Sequence, residues 1–178
     1  DAPSSIEMLN IGGGFGIPYF PGDRHLELGA VGENLALRME ECRQRLGETD
    51  IVLELGRYLV GEAGVYICEV IDKKISRGVT YLVTNGGLHH HLAASGNFGQ
   101  IVRKNFPVFA AHRVAGQPRE TVNVVGRLCT PLDLLGERIE IGVMERGDHV
   151  VIMQSGAYGF SSSPHRFLSH PAPLEILV

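Results

Sequence analysis

The chain has 178 residues, 44% hydrophobic and 20% charged, with a formal net charge of −4. That size predicts one core or two small lobes, and the interspersed, slightly acidic charge argues against a nucleic-acid or anionic-membrane surface. No apolar run approaches the roughly 18 residues of a membrane span, and no basic-then-apolar leader pattern is visible. Cys42, Cys68 and Cys129 have no paired spacing. An odd, unpaired set fits a reducing compartment, so a cytoplasmic protein is the expectation.

Residues 6–11 form a short, mainly apolar run ending in Gly12, Gly13 and Gly14, which reads as a buried strand entering a turn. Pro18, Pro21 and Gly22 keep the chain irregular to about Asp23. Over residues 31–46 the apolar positions Leu35, Met39, Cys42 and Leu46 recur at helical spacing, and Gly47 stands where a C-cap belongs. Residues 51–54 read as a second buried strand, so residues 6–54 predict β-α-β, the unit of a parallel sheet or barrel. After Arg57 the pattern changes. Residues 64–72, 79–84, 121–125, 138–143 and 149–154 read as strands separated by turn residues, including Gly126, Gly136 and Gly147-Asp148. This punctuation predicts an antiparallel β domain, sandwich or barrel, with a boundary near residues 58–64.

Several groups carry candidate chemistry. Three successive glycines let backbone approach an anion, although a tight turn accounts for most such runs. Glu54 ends an apolar strand, where a charge needs a partner; Arg57 or another arginine would serve. Cys129, between Gly126 and Pro131, reads as a loop thiol rather than a core one. Tyr158 lies in Ser155-Gly156-Ala157-Tyr158-Gly159, flanked by small residues. In His89-His90-His91 the neighbours point in different directions, so one ion rarely uses all three. The run reads as a polar loop near the mouth of a site rather than a metal centre.

Gly12-Gly13-Gly14-Phe15-Gly16, Glu54-Leu55-Gly56-Arg57, Cys129-Thr130-Pro131-Leu132-Asp133 and Gly156-Ala157-Tyr158, in that order, resemble the C-terminal part of pyridoxal-phosphate decarboxylases. The family is the ornithine/diaminopimelate type, with the alanine-racemase-like fold. The resemblance implies residues 1–60 as the last β/α units of a cofactor-binding TIM-type barrel and residues 61–178 as a β-sandwich or barrel. It places Gly12, Gly13, Gly14, Gly56, Arg57 and Tyr158 at the phosphate of pyridoxal 5'-phosphate. Glu54 falls at the ring nitrogen, where a carboxylate favours the better electron sink. Leu55 replaces the family's usual proline. Cys129 matches the thiol that protonates the substrate carbon after carbon dioxide leaves, reaching the site from the other subunit of a homodimer. Asp133 implies a substrate contact, with capping or pairing at the dimer interface equally open, and Arg57 can take phosphate or substrate carboxylate.

Substrate choice departs from the family's two main branches. Thr130 follows Cys129 where those branches carry a carboxylate, and Ala93 and Asn97 stand where the diaminopimelate branch has an arginine and a tyrosine. The resemblance then implies another amino acid, or an aminoacyl group on a carrier protein. Residues 17–23 look like the subgroup associated with exosortase, exopolysaccharide or secondary-metabolite gene sets. The family's cofactor lysine lies upstream of the matched region. Lys73, Lys74 and Lys104 read as solvated charges, Lys73-Lys74 following the first β-domain strand. A complete barrel of this kind needs about 250 residues, so the chain is expected to be a C-terminal portion, inactive alone, with an open sheet edge and an uncovered apolar face. The alternatives are a non-catalytic β-rich interaction module and a racemase of the same fold.

Overall fold

The computed structural model describes residues 6–20, 22–112 and 117–178; Pro21 lies outside them. Strand β1 (Met8–Asn10) pairs in parallel with β2 (Asp50–Val52), Leu9 opposite Ile51, and helix α1 (Leu28–Leu46) connects them. The β-α-β unit therefore forms. Gly47 closes α1 at φ +60°, its N–H donating to the Arg43 carbonyl at 2.8 Å. The expectation of buried strands is corrected: each spans three residues, and Met8 is 61% exposed. The helix starts at Leu28 rather than Val31 and buries no residue. Two short strands and one helix present too little surface to one another to enclose a core.

A single turn α2 (Arg57–Val60) and a 3-10 turn (Gly61–Ala63) lead into the main sheet. Its strands are β3 (Tyr66–Ser76), β4 (Val79–Thr84), β5 (Val108–Ala110), β6 (Arg119–Val125), β7 (Leu134–Gly142) and β8 (His149–Ile152). They lie in the order β5-β8-β3-β4-β6-β7, and edges β5 and β7 approach each other, so the sheet curls toward a barrel.

The sheet is mixed rather than wholly antiparallel. Strands β4 and β6 run parallel, Leu82 opposite Val124, because the chain between them is a long crossover instead of a hairpin. That crossover contains β5, too short to carry a readable period. Gly136 lies inside β7 beside a register shift and does not separate strands. Val70, Leu82, Val124, Leu135, Val150 and Ile152 are fully buried inside the sheet. Burying such a side chain stabilises by about 1.5–3 kcal/mol, so the core sits in the sheet and not in the β-α-β unit.

Two further expectations change. Lys73 and Lys74 lie within β3, and Lys73 bridges Glu120 at 2.8 Å and Glu145 at 3.3 Å instead of standing solvated. Burial alone would lower the Lys73 pKa, but the two carboxylates more than reverse this. The histidine run is a buried turn and not a polar loop, with His89 and His91 almost inaccessible. His91 Nδ1 accepts the Ala94 N–H at 3.1 Å, which leaves the proton on Nε2, 2.9 Å from Ser155 Oγ. Its neutral ring fills core space. Among the described residues no group of three or more His, Cys, Asp or Glu is placed to hold a metal.

Candidate functional site

The glycine turn and Glu54 meet at the ends of β1 and β2. Ile11 N–H donates to Val52 O at 3.0 Å, and Glu54 N–H to Gly12 O at 2.8 Å, carrying the strand pairing into the turn. A Cβ on Gly13 would collide with the Glu54 carbonyl, so the two segments touch backbone to backbone. Asn10 joins them through its side chain. Its Oδ1 accepts the Gly12 N–H at 2.7 Å, and its Nδ2 donates to Glu54 Oε1 at 2.6 Å. The Glu54 side chain is exposed and held by this amide; among the described residues no arginine pairs with it.

Arg57 opens α2, three residues after Glu54. Its guanidinium carbon lies 5.0 Å from the Tyr19 ring centre and 5.1 Å from that of Tyr158. Its Nε is buried without a hydrogen-bond partner. Tyr158 arrives on a loop docked by glycine contacts. Gly156 N–H donates to Gly61 O and Ser155 N–H to Gly64 O, at 3.0 and 2.9 Å. A Cβ on Gly64 would stand 2.5 Å from the Gly156 Cα, so side chains there would force the segments apart. The Tyr158 hydroxyl reaches the neighbourhood of Gly56, 3.8 Å from where a Cβ would stand. A cleft of about 300 Å³ opens beside Tyr158, walled by Gly64, Tyr66, His91, Phe160 and Leu174.

Cys129 and Asp133 form a separate group. Cys129 is exposed on a turn, and Asp133 is only 3% exposed. The Asp133 carboxylate accepts the Leu88 N–H at 2.7 Å and the Leu128 N–H at 2.9 Å, tying the cysteine turn to the segment that leads into the histidines. Burial raises the Asp133 pKa although both N–H groups oppose the shift. Thr130 is half-buried, with its Oγ1 accepting the Leu132 N–H at 3.3 Å. Asn97 donates to Leu132 O at 3.1 Å, and Ala93 packs against the core. Among the described residues no hydrogen bond, ion pair or ring contact links Cys129 to Glu54 or Arg57.

The geometry thus gathers Gly12, Gly13, Gly14 and Glu54 in one place, and Gly56, Arg57 and Tyr158 around one cation. Cys129, Thr130 and Asp133 stand on another loop. Sequence reasoning missed Asn10 and Tyr19. An Asn two residues before a glycine is an Asx-turn signature that pointed to the first. Nothing local marked Tyr19.

The family model for the pyridoxal-dependent decarboxylase C-terminal sheet domain matches residues 27–156. The chain is 41% identical over 175 residues to L-glutamyl-[BtrI acyl-carrier protein] decarboxylase of Niallia circulans, covering 96% of this chain and 41% of that protein. It is 33% identical to diaminopimelate decarboxylase of Thermoplasma acidophilum over all of this chain and 40% of the relative. The chain therefore spans about two fifths of the length of these curated relatives. Its fold matches diaminopimelate decarboxylase from M. jannaschii in co-complex with L-lysine, with a TM-score of 0.81 at 24% identity over 94% of this chain and 37% of that one.

Proposed function

We propose, from the premise that this chain belongs to the pyridoxal-dependent decarboxylase family as its C-terminal sheet domain, that it serves the decarboxylation of an amino acid or aminoacyl-carrier substrate. The observation that carries the reading is Arg57: a half-buried cation in contact with two aromatic rings, with an orphaned Nε. An unpaired buried donor is costly, and a phosphate or carboxylate oxygen would satisfy it. The side-chain-free glycine turn beside Glu54 also fits a close-lying anion. The donor set therefore fits pyridoxal 5'-phosphate.

Gly12, Gly13, Gly14, Gly56, Arg57 and Tyr158 would hold the phosphate, with Glu54 at the ring nitrogen. Once bound, the cofactor supplies the electron sink for loss of carbon dioxide. Asn10 fixes the Glu54 carboxylate, so that the charge it offers is oriented before ligand arrives. Cys129 would deliver the proton to the substrate carbon. Its exposure and its separation from Glu54 within one chain support delivery into a second subunit's site, hence a homodimer. Asp133 holds the cysteine turn in place and contributes to substrate binding through that position. Residues 1–60 would belong to the barrel and 61–178 to the sheet domain. Neutral Thr130 beside Cys129, with Ala93 packed against the core and Asn97 committed to a carbonyl, favours a substrate without a charged far end. An aminoacyl group on a carrier meets that condition, in keeping with the acyl-carrier name of the 41% relative.

In the complete protein, Glu54→Ala should cut turnover by 10²-fold or more while changing cofactor retention far less, an effect of the size assigned to lost electrostatic stabilisation. Absorbance of the bound cofactor and single-turnover assays measure the two separately. Unchanged turnover would overturn the role of Glu54.

A further inference from the structure

Tyr19 has no assigned part in this chemistry, yet its surroundings are specific. Its ring centre lies 5.0 Å from the Arg57 guanidinium carbon, and that of Tyr158 lies 5.1 Å from the same carbon. It also packs on Phe106, centroid to centroid 4.8 Å, and Phe106 is 5% exposed and belongs to the core of the main sheet. Phe20 adds a second edge contact to the same Phe106. Tyr19 therefore links Arg57 to the buried core of the main sheet. Among the described residues no carboxylate pairs with Arg57, so the charge is held by ring faces and not by a counter-ion.

That distinction matters chemically. A carboxylate beside Arg57 would occupy the donors an incoming anion needs. An aromatic face stabilises the cation through its quadrupole without taking up the Nε–H, which is buried and has no hydrogen-bond partner. Burial also raises the Tyr19 phenol, with the Arg57 charge and a side-chain hydrogen bond to Arg57 opposing, so the phenol stays neutral and never becomes a competing anion near neutral pH.

We infer that Tyr19 is a positioning residue: its ring, anchored on Phe106, holds the Arg57 guanidinium with its Nε–H open to an anionic group, either the cofactor phosphate or the substrate carboxylate. The inference rests on the proposed anion role of Arg57 and extends it to a residue that need not touch the ligand.

The test uses the complete protein with Tyr19→Phe, Tyr19→Leu and Arg57→Leu. Equilibrium binding is measured for pyridoxal 5'-phosphate and for pyridoxal, which lacks the phosphate, and KM for substrate is measured beside kcat. Loss of one desolvated cation–π face should weaken anion capture about tenfold in Tyr19→Leu, while Tyr19→Phe stays within about threefold of the parent. If the anion is the phosphate, Tyr19→Leu loses affinity for pyridoxal 5'-phosphate and keeps its affinity for pyridoxal. If it is the substrate carboxylate, KM rises at constant cofactor affinity. Equal weakening of both cofactor forms, no change in any constant, or damage by Tyr19→Phe equal to that by Tyr19→Leu would overturn the inference. If Tyr19→Leu does not fold, Tyr19→Met takes its place; failure of both to fold makes the ring structural and overturns it too. Arg57→Leu separates the two readings. If it alters neither cofactor affinity nor KM, the parent role of Arg57 fails; if it does and Tyr19→Leu does not, only the inference about Tyr19 fails.

Discussion

Asp133 shows how much of this domain depends on one side chain. Its two oxygens accept backbone N–H groups from segments 45 and 5 residues away in sequence. Cβ atoms at Gly87 and Gly126 would run into the same carboxylate, so the backbone closes tightly around it. Asp133→Ala leaves two buried donors unpaired, at roughly 1–3 kcal/mol each. Urea unfolding should therefore show a loss of about 2 kcal/mol or more, and Cys129 should label faster with a thiol reagent as its turn loosens. The histidines set the response to acid. Burial pushes His89 and His91 down to about 4, so the folded state keeps both neutral. The unfolded chain takes up protons first. Stability is thus complete above the ordinary value near 6.5 and declines as pH falls through 6.5 toward 4. For the deeply buried His91 a shift of this size corresponds to about 3 kcal/mol across that window, and His89 adds in the same direction. Denaturant midpoints at pH 7 and pH 5 read the slope, and His91→Gln should flatten it.

At the scale of elements, the docking of the Tyr158 loop on the turn after α2 is the seam that assembles the cation site. A Cβ on Gly156 would strike the Val60 carbonyl and stand 2.9 Å from the Gly64 nitrogen. Gly156→Ala should displace Tyr158 from Arg57 and weaken cofactor binding about tenfold, as expected for a lost cation–π face, with little change in the melting of the sheet. Cofactor fluorescence titration and circular dichroism distinguish these effects. Strand β4 was legible because it occupies its full predicted span, 79–84, and the helical spacing of Leu35, Met39, Cys42 and Leu46 pointed to α1. Strand β5 was not, since three residues carry no period. The histidine run misled because side-chain polarity argued for solvent, whereas neutral rings packed by Tyr66 and Phe106 fill a core. The four motifs marked most of the candidate site. Tyr19 stayed hidden because its partner lies 38 positions away and only the fold joins them.

For the whole molecule, order is unevenly distributed. The main sheet encloses a core, whereas α1 buries nothing and leaves Leu37 and Met39 exposed at 66% and 46%. Relatives more than twice as long have further chain with which to cover such a face. Backbone amides of α1 should then exchange with solvent orders of magnitude faster than those of β3, β4 and β6 when residues 1–178 are studied alone, because local opening is cheap where little is buried. The same polypeptide, given saturating pyridoxal 5'-phosphate and candidate amino acids, should show no decarboxylation. Hydrogen exchange by mass spectrometry and a carbon dioxide release assay check the two outcomes; turnover by a stable monomer would refute the second.

The parallel pairing of β4 with β6 has an evolutionary consequence. Antiparallel neighbours can be joined by two residues, but a parallel pair obliges the chain to leave the sheet and come back. That excursion carries the histidine turn, Ala93 and Asn97, while the strands on either side stay paired. Within it β5 is paired to β8 and His89, His91 and Phe106 are buried, but the exposed stretch at residues 97–99 can drift or lengthen without breaking a rung between β4 and β6. A lineage changing its surface would find raw material at that exposed stretch, on a detour that the topology makes compulsory.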